Sequence, residues 1–172
     1  MDLPAFLAFA PTLNFKVSLK SNMDLESLIR EEYHDLLTTQ TSMGFNGNET
    51  YTVIKFDLFL QRKFPNKNKF VNEEFYGELY QKMIDKYNNG IRSNNESFFK
   101  SFGILETISI ESLKFYQPEV GINGPKYSKI DDPVYIIKSN DELILKNGYH
   151  RTLPRIVMGE KNIQGFVLSI NN

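Results

Sequence analysis

Residues 141–153 read DELILKNGYHRTL and form the best-defined strand–turn–helix pattern in the chain. The apolar run Leu143–Leu145 predicts a short β-strand. The Asn-Gly pair that follows it tolerates the positive φ angles of a sharp change of direction. We then predict a short helix over residues 150–158, which Gly159 is placed to end.

The first turn of this predicted helix is suited to binding an anion. The start of a helix offers free N–H groups and the positive end of the helix dipole, and His150 and Arg151 add donors and charge there. A phosphate group fits these properties. A motif this short is equally compatible with a structural role, in which Arg151 pairs with a carboxylate of the same chain and His150 is half-buried. The predicted phosphate-binding residues are Asn147, Gly148, Tyr149, His150, Arg151 and Thr152.

Together with DPVYIIK at 132–138 and GEKNIQGFVL at 159–168, this stretch resembles the ParB N-terminal domain and sulfiredoxin-like superfamily. Members show a proline-led hydrophobic strand, a strand ending in Gly-x-x-Arg or Gly-x-His-Arg, a helix, a glycine and a closing strand. The resemblance covers about residues 105–170 and implies a small mixed β-sheet with packed helices. The residues that follow the family order are Pro133, Gly148, His150, Arg151, Gly159 and Ile163.

The resemblance also implies a function, because superfamily members use this site for nucleotide hydrolysis, phosphoryl transfer or DNA cleavage. By this analogy Arg151 would hold a phosphate bidentately, and His150 would donate to the same group or shuttle a proton, so both are candidate catalytic residues. Mg²⁺ with a nucleoside triphosphate is the implied cofactor. The candidate carboxylates for the metal are Asp131, Asp132, Asp141 and Glu142, of which the last two are expected at the far end of their strand.

Two departures from the family pattern favour a different class of function. Sulfiredoxins carry a catalytic cysteine at the position of Tyr149, and this chain has no cysteine, so reduction of a cysteine sulfinic acid is excluded. Pro154 falls inside the predicted helix and is expected to delay its start or bend it. The alternative is a non-catalytic accessory or inhibitor protein that binds a protein or nucleic-acid partner, with the N-terminal region as the surface for a protein. Phages, plasmids and defence systems are the expected context for either function.

The composition limits the remaining possibilities. A net charge of −1 creates no overall field toward nucleic acid or membrane, and the absence of cysteine excludes disulfides and thiol chemistry. The N-terminus lacks the basic start and uninterrupted apolar run of a secretory signal, and no later run has transmembrane length. The sequence therefore predicts a cytoplasmic protein without membrane association.

We predict an α+β chain in which residues 1–102 form an N-terminal region of unknown type and residues 103–172 the phosphate-binding module, together one compact unit. The elements predicted from apolar periodicity are strands at 13–19, 51–60 and 104–110, helices from Asp24 to Leu37, at 71–88 and at 93–102, and loops at 38–50 and 117–130. In the superfamily the second loop covers the nucleotide, which makes Lys126 and Lys129 residues of interest.

A basic segment, QRKFPNKNKF at 61–70, is a candidate nucleic-acid contact. Its cations could touch a phosphate backbone while Phe64 or Phe70 stacks on a base. The alternative is a solvated lysine-rich turn. The predicted nucleic-acid-binding residues are Arg62, Lys63, Lys67 and Lys69.

Overall fold

The computed structural model describes residues 22–44, 47–87, 95–122 and 131–170. The strand predicted at 13–19 and the two lysines of interest at 126 and 129 lie outside these residues. The described part has an α+β fold, as predicted. No helix in it is both long and apolar enough to cross a membrane.

The helices are α1 (Asn22–Glu32), α2 (Phe56–Lys63), α3 (Glu73–Tyr87), α4 (Asn95–Phe102) and α5 (Tyr149–Val157). The strands are β1 (Leu37–Gly44), β2 (Gly47–Lys55), β3 (Ile104–Ser109), β4 (Leu113–Lys114), β5 (Glu119–Gly121), β6 (Val134–Ser139), β7 (Glu142–Asn147) and β8 (Asn162–Ser169). Two 3-10 turns, His34–Leu36 and Ile110–Ser112, precede β1 and β4.

The larger sheet is mixed, as the sequence predicts, with the strand order β3-β8-β6-β7-β4. Strand β6 at its centre runs parallel to β8 and antiparallel to β7, while β4 is parallel to β7 and β3 antiparallel to β8. The strands predicted from Val134, Leu143 and Phe166 are thus neighbours in one sheet. Helix α5 leads from β7 at the sheet to β8.

Both faces of this sheet are buried, which explains why its central strands are continuous apolar runs. Val134 and Ile136 face a cluster that also contains buried residues of α1, α2 and α5. Tyr135 and Ile137, which alternate with them, face a second cluster with residues of α3 and α4. Because side chains alternate along a strand, one run of four buried residues serves both layers.

The smaller sheet has the order β1-β2-β5, with both pairs antiparallel. The β2–β5 pair joins residues on either side of the predicted boundary at residue 103. Phe56 of α2 also makes edge-to-face contacts with Phe115 and Tyr149 across that boundary. In the described chain the two predicted regions therefore share one core.

Three secondary-structure predictions in the N-terminal region are wrong. The segment at 38–50, predicted as a loop, contains β1 and the start of β2, because threonine-rich polar strands can form where both faces are exposed. Helix α1 ends at Glu32, before Leu37. The strand predicted at 51–60 ends at Lys55, and α2 begins with buried residues spaced three and four apart, Phe56, Phe59 and Leu60.

The predictions for α3, α4, β3 and α5 are confirmed. Helix α3 is capped as expected, because Asn72 Oδ1 accepts a hydrogen bond from Phe75 N at 2.7 Å. Helix α5 starts at Tyr149, one residue before the predicted start.

Candidate phosphate site at the start of helix α5

Gly148 sets the geometry of the turn between β7 and α5. Its φ angle is +113°, a conformation that L side chains rarely adopt, and an added Cβ would lie 2.5 Å from Val134 Cγ1. The Gly148 N–H donates to Asn147 Oδ1 at 2.8 Å. The Gly148 carbonyl accepts from Arg151 N at 3.0 Å and Thr152 N at 2.9 Å, which closes the first turn of the helix.

Arg151 extends back over this turn. Its Nη2 lies 3.1 Å from the position that a Cβ on Gly148 would take, and its guanidinium carbon is 5.7 Å from the centre of the Tyr135 ring. Helical side chains lean toward the N-terminus of their helix, so a third-position arginine reaches the helix start. The Nε atom is buried and has no hydrogen-bond partner in the structure. Among the described residues no carboxylate forms an ion pair with Arg151.

His150 is exposed at the same end of the helix. A methyl group on Gly121 of β5 would lie 3.6 Å from His150 Cε1, so the small sheet forms the wall beside the imidazole. The structure thus brings together Gly148, His150 and Arg151, at the place where the two sheets meet.

Two other predicted phosphate-binding side chains, those of Tyr149 and Thr152, are used inside the protein, whereas Asn147 is exposed. Tyr149 is buried, its hydroxyl donates to Leu145 O at 3.2 Å and accepts from Tyr116 N at 2.9 Å, and burial raises the pKa of this phenol. Thr152 is fully buried and its hydroxyl donates to Gly148 O at 2.9 Å. Both side chains pack beneath the turn and fix its backbone through hydrogen bonds. Because both are buried, the prediction that these side chains contact the ligand is corrected.

Pro154 is the sixth residue of α5 and lies deeper than the first turn. Of the two effects expected from this proline, a later helix start or a bend, the later start is wrong, because the helix begins at Tyr149. The helix continues through the proline, and Pro154 O accepts a hydrogen bond from Met158 N at 2.9 Å.

The candidate metal ligands do not gather at this site. Asp131 pairs with Arg155 at 3.1 Å, and Glu142 pairs with Lys114 at 3.5 Å. Glu142 begins β7, about 20 Å of strand away from Gly148 at roughly 3.3 Å per residue, as expected from its position in the sequence. The described ranges contain no group of three or more histidine, cysteine, aspartate or glutamate side chains that could hold a metal ion.

The basic segment at 61–70 divides into side chains with different surroundings. Arg62 forms two hydrogen bonds with Asp35, at 2.6 and 3.2 Å, and Lys67 pairs with Glu111 at 2.9 Å. Lys63 is exposed and pairs with no carboxylate in the described chain. The prediction fails for Lys69, which is buried and donates to Ile110 O at 2.8 Å and Glu111 O at 2.5 Å.

Sequence reasoning missed a cleft of about 450 Å³ at the other end of α5. We call it the α5 cleft and define it by Lys63, Phe64, Ile110, Glu111, Ile156 and Lys161. These residues come from four separate stretches of the chain. The one local signal in the sequence was the basic segment, which supplies the first two of them.

Comparison of the chain with protein-family models, curated proteins and solved structures finds no match. The resemblance to the ParB and sulfiredoxin-like superfamily therefore rests on the residues quoted above. What that resemblance implies for function is a proposal.

Proposed function

We propose that this chain binds a phosphate group of a nucleotide or nucleic acid at the start of α5, with Arg151 and His150 as side-chain donors. The observation that carries the proposal is the position of Arg151. It lies folded over the N-cap glycine, its Nε is buried without a partner, and no described carboxylate balances its charge. A buried donor without a partner is unfavourable, and an anion at this place would supply the acceptor.

The helix dipole strengthens this argument. An arginine in the first turn lies at the positive end of the dipole, where a cation is slightly unfavourable. A bound phosphate would interact favourably with both the dipole and the guanidinium group. The contact with the buried Tyr135 ring contributes about 2 kcal/mol when such a pair is desolvated, and it uses none of the arginine donors.

The surroundings support binding without turnover. Metal-dependent cleavage of a phosphate would need several carboxylates beside Arg151. Asp131 is paired with Arg155, and Asp141 and Glu142 lie at the far end of β7. Within the described chain, only Asp132 of the four candidates lies without an ion pair at the Gly148 end of the sheet. This favours the non-catalytic accessory or inhibitor protein over a nucleoside triphosphatase or nuclease. His150 would then act as a hydrogen-bond donor to the phosphate.

Substitution of Arg151 tests the proposal. We expect Arg151→Ala to weaken binding of whichever of ATP, GTP, CTP or UTP binds best by about 1.5–3 kcal/mol, the usual contribution of a charge-assisted hydrogen bond. Arg151→Lys should restore part of the affinity, because a lysine offers a point charge in place of a planar fork. Isothermal titration calorimetry measures the affinity, and thermal unfolding should show the melting temperature unchanged or slightly raised.

Arg155→Ala is the matched control on the same helix. Arg155 pairs with Asp131 and Glu160 and its side chain is only 14% exposed, so its loss should lower the melting temperature and leave nucleotide affinity unchanged. The proposal is wrong if no nucleotide binds the wild-type chain. It is also wrong if Arg151→Ala lowers stability as much as the control does, because Arg151 would then be a structural residue.

A further inference from the structure

The α5 cleft has the size and lining of a ligand site. It lies between the end of α2, the 3-10 turn at Ile110–Ser112 and the end of α5, and its volume of about 450 Å³ is in the range of small-molecule sites. Ile110 and Ile156 are almost fully buried and Phe64 is half-buried, so the floor is apolar. The cleft is toward the opposite end of α5 from Arg151: Ile156, which lines it, lies five residues further along the helix, roughly 7.5 Å at 1.5 Å per residue.

The charges on its rim do not balance. Two glutamates line the cleft together with two lysines, and each glutamate is paired with a cation outside the lining: Glu111 with Lys67, and Glu160 with Arg155. Within the described ranges, Lys63 and Lys161 have no carboxylate at ion-pair distance. The chain as a whole has a net charge of −1, so this positive surface is a local feature.

A third lysine lies in the wall below the rim. The Lys69 ammonium group donates to the carbonyls of Ile110 and Glu111. Burial, and then the nearby charge of Lys67, lowers the pKa of Lys69 to about 8, with Glu111 opposing this and Lys114 adding to it. At neutral pH the group is still mostly protonated, so it adds positive charge beneath the cleft.

Helix capping does not account for Lys161, or for Lys63, whose ammonium group lies 6.0 Å from the centre of the Tyr33 ring. Lysines near a helix C-terminus often serve the last carbonyl groups. Here backbone N–H groups already do so: Phe64 N donates to Leu60 O at the end of α2, and Met158 N and Glu160 N donate to Pro154 O and Arg155 O at the end of α5.

We infer that the α5 cleft binds one nucleotide unit of a single-stranded nucleic acid. The phosphate would lie between Lys63 and Lys161, and the base would lie against the apolar floor beside Phe64. A flat aromatic group joined to an anion matches a cleft with an apolar floor and a cationic rim. A strand is favoured over a free nucleotide because, with Lys67 neutralised by Glu111, Lys63 and the buried Lys69 still leave the basic segment beside the cleft positive. This site is separate from the proposed phosphate site at Arg151.

Fluorescence anisotropy with a labelled oligothymidylate of about 12 nucleotides tests the inference, since one site of this class covers about 4–16 nucleotides. We expect the double variant Lys63→Ser/Lys161→Ser to bind at least about tenfold more weakly at low salt. Its plot of log affinity against log salt should be shallower by about 0.7, because the two lysines together neutralise one phosphate. Phe64→Leu should weaken binding without changing this slope, since it removes only the stacking surface.

The matched control is Lys82→Ser/Lys138→Ser, which removes the same charge from exposed positions away from the cleft. It should bind like the wild type. The inference is overturned if the wild type does not bind at low salt, or if the control loses as much affinity as the cleft variant. A competition with dTMP, at the same total concentration of nucleotide units as the oligonucleotide, tests the choice of a strand. If dTMP displaces the oligonucleotide, the cleft binds free nucleotides, and the inference that it binds a strand is overturned.

Discussion

Gly148 holds the backbone of the candidate phosphate site in a conformation that suits glycine alone. Its positive φ angle and its contact with Val134 leave no room for a side chain. Val134 of β6 and the Arg151 guanidinium group both lie close to Gly148, in space that a side chain at position 148 would need. The geometry of the site therefore depends on a residue that supplies no side-chain chemistry.

We expect Gly148→Ala to lower the free energy of unfolding by about 2–4 kcal/mol, from backbone strain and the clash with Val134. Urea denaturation measures this change. Gly77→Ala is the matched control: Gly77 is exposed within α3, nothing lies within 4 Å of an added Cβ, and alanine should stabilise the helix by about 0.5–1 kcal/mol. If the two substitutions change the free energy of unfolding by equally small amounts, an added side chain does not strain the turn at Gly148.

The motif at 147–152 was visible in the sequence, but the role of each residue in it was not. A glycine before His-Arg predicted the turn and the helix start from local geometry alone. The burial of Tyr149 could not be predicted, because its hydroxyl is fixed by the backbone of Tyr116, which is 33 residues away in the chain. A side chain without a local signal for burial can be placed only once the packing is known.

At the scale of elements, the segment that links α2 to α3 is anchored by one buried lysine. The ammonium group of Lys69 donates to the 3-10 turn at Ile110–Ser112 and lies 4.8 Å from the centre of the Phe64 ring. This connects the end of the basic segment to the sheet. The sequence predicted an exposed cation here because lysine is seldom buried.

Lys69 should make the stability of the protein depend on pH. The folded protein lowers its pKa from 10.5 to about 8, so between these values the unfolded chain holds a proton that the folded chain has released. The unfolding free energy of the wild type relative to Lys69→Met should therefore rise as pH increases from 8 toward 10. The rise is limited to about 1.4 kcal/mol per pH unit for a single proton. Urea denaturation of both proteins at several pH values measures it, and a constant difference would contradict the buried position.

Helix α3 and helix α2 show when periodicity is informative. In α3 a long run of apolar residues at helical spacing follows Asn72, and both the helix and its cap were predicted. In α2 the apolar residues fit both alternation and helical spacing over a few positions. Tertiary packing decides between them, because Phe59 packs on Tyr33 and Phe56 while Leu58 remains 41% exposed.

In the whole molecule, the predicted boundary at residue 103 separates two kinds of sequence pattern, but it does not separate two structural units among the described residues. The apolar runs predicted a mixed sheet from the C-terminal residues, and this is confirmed. Two long-range features could not be predicted from any local sequence pattern. One is the pairing of β2 with β5, and the other is the packing of helices from the N-terminal region on both faces of the larger sheet. The wall beside His150 is made by β5, so the candidate site itself depends on this long-range arrangement.

An amide-resolved NMR titration of the full chain with ATP shows directly whether the start of α5 binds a phosphate group. We expect the backbone N–H signals of Gly148, Tyr149 and His150 to shift on titration of the wild type. In Arg151→Ala these signals should not shift, and the rest of the folded spectrum should be unchanged. Signals that remain still in the wild type, or that shift equally in Arg151→Ala, would contradict phosphate binding at this site.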